Sequence, residues 1–347
     1  MTGRTLIASA SLLAACVAVA VAKDAARVVP GAPDGAGPLG DGGFVRPVRA
    51  GEVLPADAIP VDADASRRAI LFSSAQSGLF ELLPDGAVRR HRVADPKPSD
   101  VYLDAVYAGG SIYASMQGRG VVRFGADRLE VVDPPEGVMA PARLLGLGSG
   151  ELLAWTSATP MSHARLRRMS GAGAMEALDG EGLATVGGWV EMPERDSVWA
   201  ATRAGVVEIA RDGTRTTLYP GSVTAIARSG RHVGVVGTGV ARWNGASFEP
   251  VRFSIRDPRR PGQQSMPGAP VDLAIDREGR WFILARGGAV AVLGADGAFL
   301  ALLDARDGIP VSAARLLVDP ATGDIIVGSR REGPHRIRFA RGGRAGG

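Results

Sequence analysis

Cysteine is almost absent from the 347-residue sequence, since Cys16 is the only one. A single cysteine excludes an intramolecular disulfide and a cysteine-based metal site. Stability must therefore come from the packing of a hydrophobic core and from closure of the fold. Aromatic residues make up only 5% of the chain, whereas the 48 glycines and 23 prolines indicate many turns. This composition favours many short strands over long helices.

Lysine is also scarce, so arginine carries nearly all of the positive charge. Lys23 and Lys97 are the only lysines among 40 basic residues, and the formal net charge is +4. The arginines are scattered, often beside Asp or Glu, and form no basic block. Nucleic-acid-binding proteins normally concentrate their basic residues in one patch, so we predict that nucleic acid is not a partner.

Residue types that usually carry catalysis are few. The four histidines, His91, His163, His232 and His335, are not within metal-ligand spacing of one another. A serine nucleophile in a strained turn would require a G-x-S-x-G motif, and the chain contains none. We therefore assign no catalytic residue, no metal ligand and no cofactor from the sequence.

The first 22 residues form a leader. Residues 1–4 carry Arg4, residues 5–22 are uncharged and mostly apolar, and the sequence Ala-Val-Ala before Lys23 fits a signal-peptidase site. The sequence Leu-Ala-Ala-Cys ending at Cys16 also resembles a lipobox, with Cys16 as the lipidated residue. An uncleaved membrane anchor is a third alternative. All three predict an extracytoplasmic protein, periplasmic or secreted, that contacts a membrane only through an N-terminal lipid or anchor.

The remaining chain divides by composition. Residues 23–42 are rich in Gly, Pro and Ala, which predicts a flexible spacer. Residues 43–341 form the predicted folded domain, and residues 342–347 a disordered tail.

Seven internal repeats occupy the folded domain. Each has a short apolar run, a turn with Gly, and a second apolar run. The repeats begin at Ala69, Ser111, Glu151, Ser197, His232, Arg280 and Asp324. A spacing of roughly 35 to 48 residues matches four short strands and their turns, the unit of a propeller blade. We therefore predict an all-β, seven-bladed propeller of four-stranded antiparallel blades. The third repeat matches least well, so six or eight blades are alternatives.

The two ends of the repeat region are uneven. Too few residues follow the last repeat to supply its outermost strand, whereas residues 44–50 precede the first repeat without a blade of their own. We predict that this N-terminal segment supplies the missing strand and closes the ring. Pro47 is compatible with an outermost strand, which spares one N–H on its free side.

The repeats resemble those of several bacterial propellers. The sequence SVWAATRAGVVEIARDG, from Ser197, is similar to the repeats of two-component-regulator propellers. LAIDREGRWFILARGG, from Leu273, also resembles NHL and gluconolactonase-like propellers, with their D-x-x-G turn before the second strand. The resemblance implies an extracytoplasmic propeller and leaves the chemistry open, because a fold does not determine a function. Gluconolactonase-like enzymes would hold a divalent cation with Glu, Asp and paired Asn side chains, yet Asn244 is the only asparagine here.

The connections between the second and third strands of each repeat suggest a binding face. In a propeller these B–C loops lie on one face around the central channel, with the D–A connections. The predicted ligand-binding residues on this face are Gln76, Gln117, Arg119, Arg203, Arg286, Arg330 and Arg331. Guanidinium groups form paired hydrogen bonds to carboxylate or phosphate, so five arginines on one face favour an anionic partner. Solvated arginines paired with Asp and Glu are the alternative.

These features predict an exported, non-catalytic propeller of the sensor or scaffold type. It would bind a small anionic ligand or an envelope protein through its loop-rich face. The alternative is a propeller hydrolase or lyase, lactonase-like, with a divalent metal held by carboxylates.

Overall fold

The computed structural model describes residues 44–48, 54–75, 77–93, 95–125, 129–134, 140–157, 164–170, 175–178, 183, 186–257 and 262–339. The predicted leader, spacer and tail lie outside these residues, as do Cys16 and Gln76. None of the described segments is a helix long and apolar enough to cross a membrane.

Strands account for nearly all regular structure in the described residues. The first strand, β1 (Phe44–Pro47), is followed by the blades in chain order. Blade 1 contains β2 (Ile59–Asp64), β3 (Ala69–Ser74), β4 (Gly78–Leu82) and β5 (Val88–His91). Blade 2 contains β6 (Val101–Ala108), β7 (Ser111–Gln117), β8 (Gly120–Phe124) and β9 (Leu129–Asp133). Blade 3 contains β10 (Arg143–Gly146), β11 (Leu152–Thr156), β12 (Arg165–Met169) and β13 (Met175–Ala177).

The second half of the chain continues the same pattern. Blade 4 contains β14 (Gly188–Met192), β15 (Ser197–Ala201), β16 (Gly205–Ala210) and β17 (Arg215–Pro220). Blade 5 contains β18 (Val223–Ser229), β19 (His232–Gly237), β20 (Val240–Trp243) and β21 (Phe248–Pro250). Blade 6 contains β22 (Pro270–Ile275), β23 (Trp281–Ala285), β24 (Val290–Leu293) and β25 (Phe299–Leu303). Blade 7 contains β26 (Ala313–Val318), β27 (Ile325–Ser329) and β28 (His335–Arg338). Two short 3-10 helices cover Pro193–Arg195 and Ala305–Asp307.

The sheets form a closed ring. Each of the seven sheets has four strands that pair antiparallel with their neighbours. The first strands of successive blades contact one another all the way round, and β26 of blade 7 contacts β2 of blade 1. These first strands therefore surround a central channel. The prediction of a seven-bladed propeller is confirmed.

The N-terminal strand completes the last blade. Strand β1 pairs antiparallel with β28, with Phe44 opposite Arg338 and Pro47 opposite His335, so the sheet order is β1-β28-β27-β26. Pro47 lies on the outermost strand, where its missing N–H breaks no central ladder. The predicted ring closure by an N-terminal strand is confirmed.

The hydrophobic core is divided into wedges between the blades. Every pair of neighbouring blades shares a cluster of buried side chains, because both faces of each sheet are covered. Trp199 of blade 4 is fully buried against Trp243 and Phe248 of blade 5, with ring centroids 4.8 and 5.7 Å away. Packing between sheets therefore holds neighbouring blades together.

Glycine allows the innermost strands to approach closely. A Cβ atom at Gly146 would overlap the carbonyl oxygen of Tyr107, and one at Gly187 would overlap the carbonyl oxygen of Thr224. Both contacts join innermost segments of adjacent blades. Glycine at these positions therefore lets the backbones of adjacent innermost segments come into contact.

Candidate functional site

A β-bulge in the innermost strand sets the direction of side chains near the channel. The register between the first two strands shifts in five blades, at Pro60/Asp62, Tyr102/Asp104, Val223/Ala225, Pro270/Asp272 and Ala313/Arg315. A bulge bends the strand and changes the direction of the side chain that follows it. In four of these blades that residue is charged.

The three aspartates at these positions link adjacent innermost strands. Asp62 Oδ2 accepts a hydrogen bond from the backbone N–H of Tyr107 at 2.8 Å. The N–H of Leu144 donates to Asp104 Oδ2 at 3.0 Å, and that of Leu316 to Asp272 Oδ2 at 2.6 Å. Each carboxylate thus ties its own blade to the next.

Burial changes the protonation of two of these carboxylates. Desolvation raises the pKa of Asp62 to about 7, against the opposing effect of the N–H donors of Tyr107 and Ala63. Desolvation also raises the pKa of Asp272, although Arg315 opposes that shift. With a pKa of about 7, Asp62 is close to its titration midpoint at neutral pH.

Two arginines on opposite sides of the ring accompany the aspartates. Arg315 of blade 7 donates from Nη2 to the carbonyl oxygen of Val61 at 3.1 Å, and its Nη1 lies 3.7 Å from Asp104 Oδ1. Arg143 of blade 3 makes no hydrogen bond or ion pair with any residue that the structure describes. Desolvation lowers the pKa of Arg143, and the positive charge of Arg315 adds to that effect. An arginine stays charged even so.

Asp104 also has an unsatisfied atom. The residue is 2% exposed, and its Oδ1 has no hydrogen-bond donor among the described residues. A buried carboxylate oxygen without a donor is costly. The ion pair with Arg315, at 3.7 Å, is therefore the interaction that this oxygen makes among the described residues.

Two cavities open at this level of the ring. The channel cavity, of about 310 Å³, is bordered by Asp104, Arg143, Asp272 and Arg315, with Trp189 and Arg228 farther along. The mouth cavity, of about 720 Å³, lies on the face of the D–A and B–C loops, and its polar border is Asp57, Ser73, Arg143, Arg315 and Arg330. Its apolar wall includes Ile59, Val101, Tyr102, Leu103, Trp155 and Val186. Arg143 and Arg315 border both cavities, so they lie at the junction between them.

The predicted ligand-binding residues differ in what surrounds them. Gln117 is exposed, and Gln76 lies outside the described residues. Arg119 forms an ion pair with Asp100, in which Nε and Nη2 donate to the two carboxylate oxygens at 2.8 Å each. Desolvation by itself would raise the pKa of Asp100, but the hydrogen bonds from Arg119 and from the backbone N–H of Lys97, with the nearby positive charge, together lower it. The Arg119 guanidinium is thus already occupied by this carboxylate.

The other predicted arginines lie on the loop face as expected from the topology. Arg203, Arg286, Arg330 and Arg331 are all exposed. Arg330 borders the mouth cavity, together with Arg143 and Arg315. The structure therefore brings one of the predicted arginines to the cavity, and its binding role stays a prediction.

Sequence reasoning missed the charged residues of the innermost strands. A signal for them exists, because the tetrapeptide Ala-Arg-Leu-Leu occurs twice, at residues 142–145 and 314–317. Both copies lie in the innermost segment of a blade, where a charged side chain is away from the outer surface of the protein. Similarly, Asp62, Asp104 and Asp272 each follow Val or Leu in their strands.

Within the described part of the chain, no group of three or more His, Cys, Asp or Glu side chains is arranged to hold a metal ion. Asn244 caps the tight turn between β20 and β21, where its Oδ1 accepts the N–H groups of Ala246 and Ser247. This turn lies on the other face from the mouth cavity.

No protein-family model and no curated protein matches this sequence. Solved structures do match it in fold. One is the extracellular domain of BT4673 from B. thetaiotaomicron, described as a one-component system, with a TM-score of 0.59 and 15% identity over 86% of this chain and 40% of that one. Another is the WD40 propeller domain of Doa1, with a TM-score of 0.59 and 11% identity over 84% of this chain and 96% of that one.

The gluconolactonase XC5397 from Xanthomonas campestris matches with a TM-score of 0.51 and 12% identity, over 86% of this chain and 90% of that one. The suspected resemblance to gluconolactonase-like and two-component-type propellers is confirmed for the fold. At these identities the matches show the fold alone.

Proposed function

We propose that this protein is an exported, non-catalytic propeller that binds a small carboxylate-bearing ligand or an envelope protein through its loop-rich face. The observation that carries the proposal is the mouth cavity of about 720 Å³ on that face, bordered by three arginines. Its volume is within the range of small-molecule sites, which are mostly apolar with a few polar groups.

Electrostatics support an acidic partner for this cavity. Arg143, Arg315 and Arg330 offer guanidinium groups, and Arg143 has no partner among the described residues. A guanidinium binds a carboxylate through two parallel hydrogen bonds. The predicted leader at residues 1–22 and the extracellular location of the BT4673 domain support export.

A thermal-shift screen of the purified protein against small anions, sugars and divalent metals tests the proposal. We expect at least one carboxylate to raise Tm. A ligand at 100 times its Kd adds about 2.7 kcal/mol of stability, an increase in Tm on the order of 5 °C.

The variant Leu103→Trp locates the site. Leu103 is 39% exposed and lines the mouth cavity, so a larger side chain there narrows the cavity without removing a charge. Val131→Trp is the matched control, because Val131 is 47% exposed on the outer strand of the same blade. The hit should still bind to Val131→Trp and be lost in Leu103→Trp.

Equal binding to both variants would show that the mouth cavity is not the site. The absence of any small-molecule hit would contradict ligand binding and favour the envelope-protein partner. Stoichiometric calcium or zinc in the purified protein, together with hydrolysis of lactones, would instead favour the hydrolase.

A further inference from the structure

Two arginines that line the mouth cavity come from different blades. Arg143 begins the innermost strand β10 of blade 3, and Arg330 directly follows β27 of blade 7. In the part of the chain that the structure describes, neither side chain makes a hydrogen bond or an ion pair. Both guanidinium groups are therefore able to bind an anion that enters the cavity.

The other two charged residues of the mouth cavity are held by protein contacts. Arg315 donates to the carbonyl oxygen of Val61 and lies 3.7 Å from Asp104 Oδ1. Asp57 accepts the hydroxyl group of Ser74 at both carboxylate oxygens, at 2.8 Å each. The lining thus contains three arginines and one aspartate, an excess of two positive charges. A cavity lined mainly by one sign of charge attracts ligands of the opposite sign.

The channel side of Arg143 does not supply the missing acceptor. The charged residues lining the channel cavity are Arg143, Arg228 and Arg315 with Asp104 and Asp272. Desolvation and then the charge of Arg315 lower the pKa of Arg143, and the two aspartates oppose that shift without accepting its hydrogen bonds. The hydrogen-bond donors of Arg143 therefore stay open to a ligand anion.

Arg143 and Arg330 are separate binding points. Blades 1 and 2 lie between blade 7 and blade 3 in the ring of seven, so the two arginines come from nearly opposite sides of the channel. The wall that blades 1 and 2 contribute to the mouth cavity includes Ile59, Val101 and Leu103. Arg143 also borders the channel cavity, whereas Arg330 does not. An apolar surface thus joins two positively charged points.

A ligand with a single carboxylate would leave one of these guanidinium groups without an anion. We propose that the mouth cavity binds a linear aliphatic dicarboxylate, with one carboxylate on Arg143, the other on Arg330 and the methylene chain on the apolar wall between them. Each guanidinium offers a carboxylate two parallel hydrogen bonds, and the chain buries apolar surface. This inference rests on the proposed function and specifies its ligand class.

Calorimetric titrations of the full-length protein with carboxylates of graded length test this inference. Succinate, adipate, suberate and sebacate are the dicarboxylates, and butyrate, hexanoate, octanoate and decanoate are the monocarboxylates of equal carbon number. Because the span between the two arginines is set by the ring, one dicarboxylate length should bind best. At that length the dicarboxylate should bind roughly 10- to 100-fold more tightly than its monocarboxylate, the gain expected from a second charge-assisted contact.

Two variants assign the two carboxylates to their residues. Arg143→Gln and Arg330→Gln should each weaken the best dicarboxylate at least tenfold, to about the affinity of the monocarboxylate of equal length. Arg306→Gln is the matched control, because Arg306 is an exposed arginine in the D–A connection of the same face and lines neither cavity. It removes the same charge and should bind as the unmodified chain does.

Each outcome decides between the claims. Equal affinities of monocarboxylates and dicarboxylates at every length, or unchanged binding to both Arg143→Gln and Arg330→Gln, would overturn the dicarboxylate site. If a monocarboxylate binds equally well and fails to bind to Leu103→Trp, the dicarboxylate inference is wrong and the proposed function stands. If no carboxylate binds at all, both ligand proposals fail. The two series are compared on the unmodified protein, so the test does not depend on a variant that folds poorly.

Discussion

Arg167, in the outer part of a blade, and Arg143, on an innermost strand, have opposite surroundings. In the outer part of the blades Arg167 donates from Nη1 to Asp133 Oδ1 at 2.9 Å, while its Nη2 lies 2.7 Å from Oδ2. This pair is buried and joins blade 3 to blade 2. Arg338 on β28 is likewise paired with Asp324 at 2.9 Å. These outer arginines hold the protein together.

At the centre Arg143 has no such partner. The difference follows from the geometry of a propeller, because an outer strand faces the next strand or the next blade, whereas an innermost strand faces the channel. The guanidinium of Arg167 is therefore met by protein, whereas that of Arg143 borders the channel cavity without a hydrogen-bond or ion-pair partner among the described residues. We infer that stability is concentrated in the outer pairs and binding in the central residues.

Removing the closing strand should have the largest effect on stability. Val45 of β1 packs against the cluster that contains Ile309 and Ile337. Removing β1 also removes Val48 and the hydrogen bonds between β1 and β28. Each half-buried valine and each hydrogen bond contributes ~1 kcal/mol, so the free energy of unfolding should fall by about 4 kcal/mol. Thermal unfolding of a chain that begins at residue 49 would measure this.

A chain that begins at residue 43 is the control, since it keeps β1, and its Tm should exceed that of the shorter chain by about 10 °C. Equal Tm values for the two chains would mean that the outermost strand contributes nothing to the ring.

Breaking an outer arginine pair should come next. Arg167→Met leaves the carboxylate of Asp133 buried without its ion-pair partner, which costs about 3–5 kcal/mol. At the centre, Arg143→Met should change stability by less than about 1 kcal/mol, because no partner is lost. Urea unfolding of both variants gives the two free energies.

Arg123→Met serves as the solvent-exposed control. Arg123 and Glu130 are 42% and 43% exposed, so their pair should contribute at most about 1 kcal/mol. If Arg143→Met destabilised the protein as much as Arg167→Met, the inference that Arg143 contributes little to stability would be wrong.

The pH dependence of stability should show a smaller effect than these substitutions, and it concerns two aspartates of the innermost strand β2. The pKa of Asp62 is about 7 in the folded protein and ~4 when unfolded, so the folded state binds the proton more tightly. The contribution of Asp62 is therefore greatest below about pH 4, declines as pH rises through 7, and is constant above it. Asp62→Asn should remove this decline and raise the free energy of unfolding at pH 8 by about 2 kcal/mol. This is half of what the full pKa shift would give, because part of the Asp62 surface stays accessible to solvent.

Asp64, two residues along the same strand, should show the opposite sign. Burial alone would raise its pKa, but the hydrogen bonds from Ser66 and Arg67 outweigh burial and lower it. Asp64→Asn should then destabilise the protein at neutral pH, with an effect that disappears as the medium becomes strongly acidic. Urea unfolding at pH 4, 6 and 8 measures both variants, and a pH-independent difference for Asp62→Asn would exclude the shifted carboxyl group.

Much of the fold was predictable because the blade pattern is local. The second strands β3, β7, β15 and β19 begin at the predicted repeat starts Ala69, Ser111, Ser197 and His232. The closing strand was predictable from the unequal ends of the repeat region. Turn residues and apolar runs report on neighbouring residues, so a single sequence contains them.

The centre of the site was much less predictable. Whether Arg119 binds a ligand or Asp100 depends on which loop residue lies opposite it, and the sequence does not contain that distance. The bulges that turn Asp104 and Arg315 toward the channel depend on pairing between strands. The repeated Ala-Arg-Leu-Leu was the available signal, yet its meaning depends on the position of these strands at the ring centre.

The pairing of β1 with β28 also governs the order of assembly. It joins the beginning and the end of the described chain, so the last blade is completed only after the whole ring has been made. Contacts between residues so far apart in sequence form slowly, so β1 stays unpaired until β28 is in place. Arg46 and Pro47, both exposed on this strand, are residue types that keep free edges from pairing with other chains. The segment that finishes the ring thus carries its own protection against premature association.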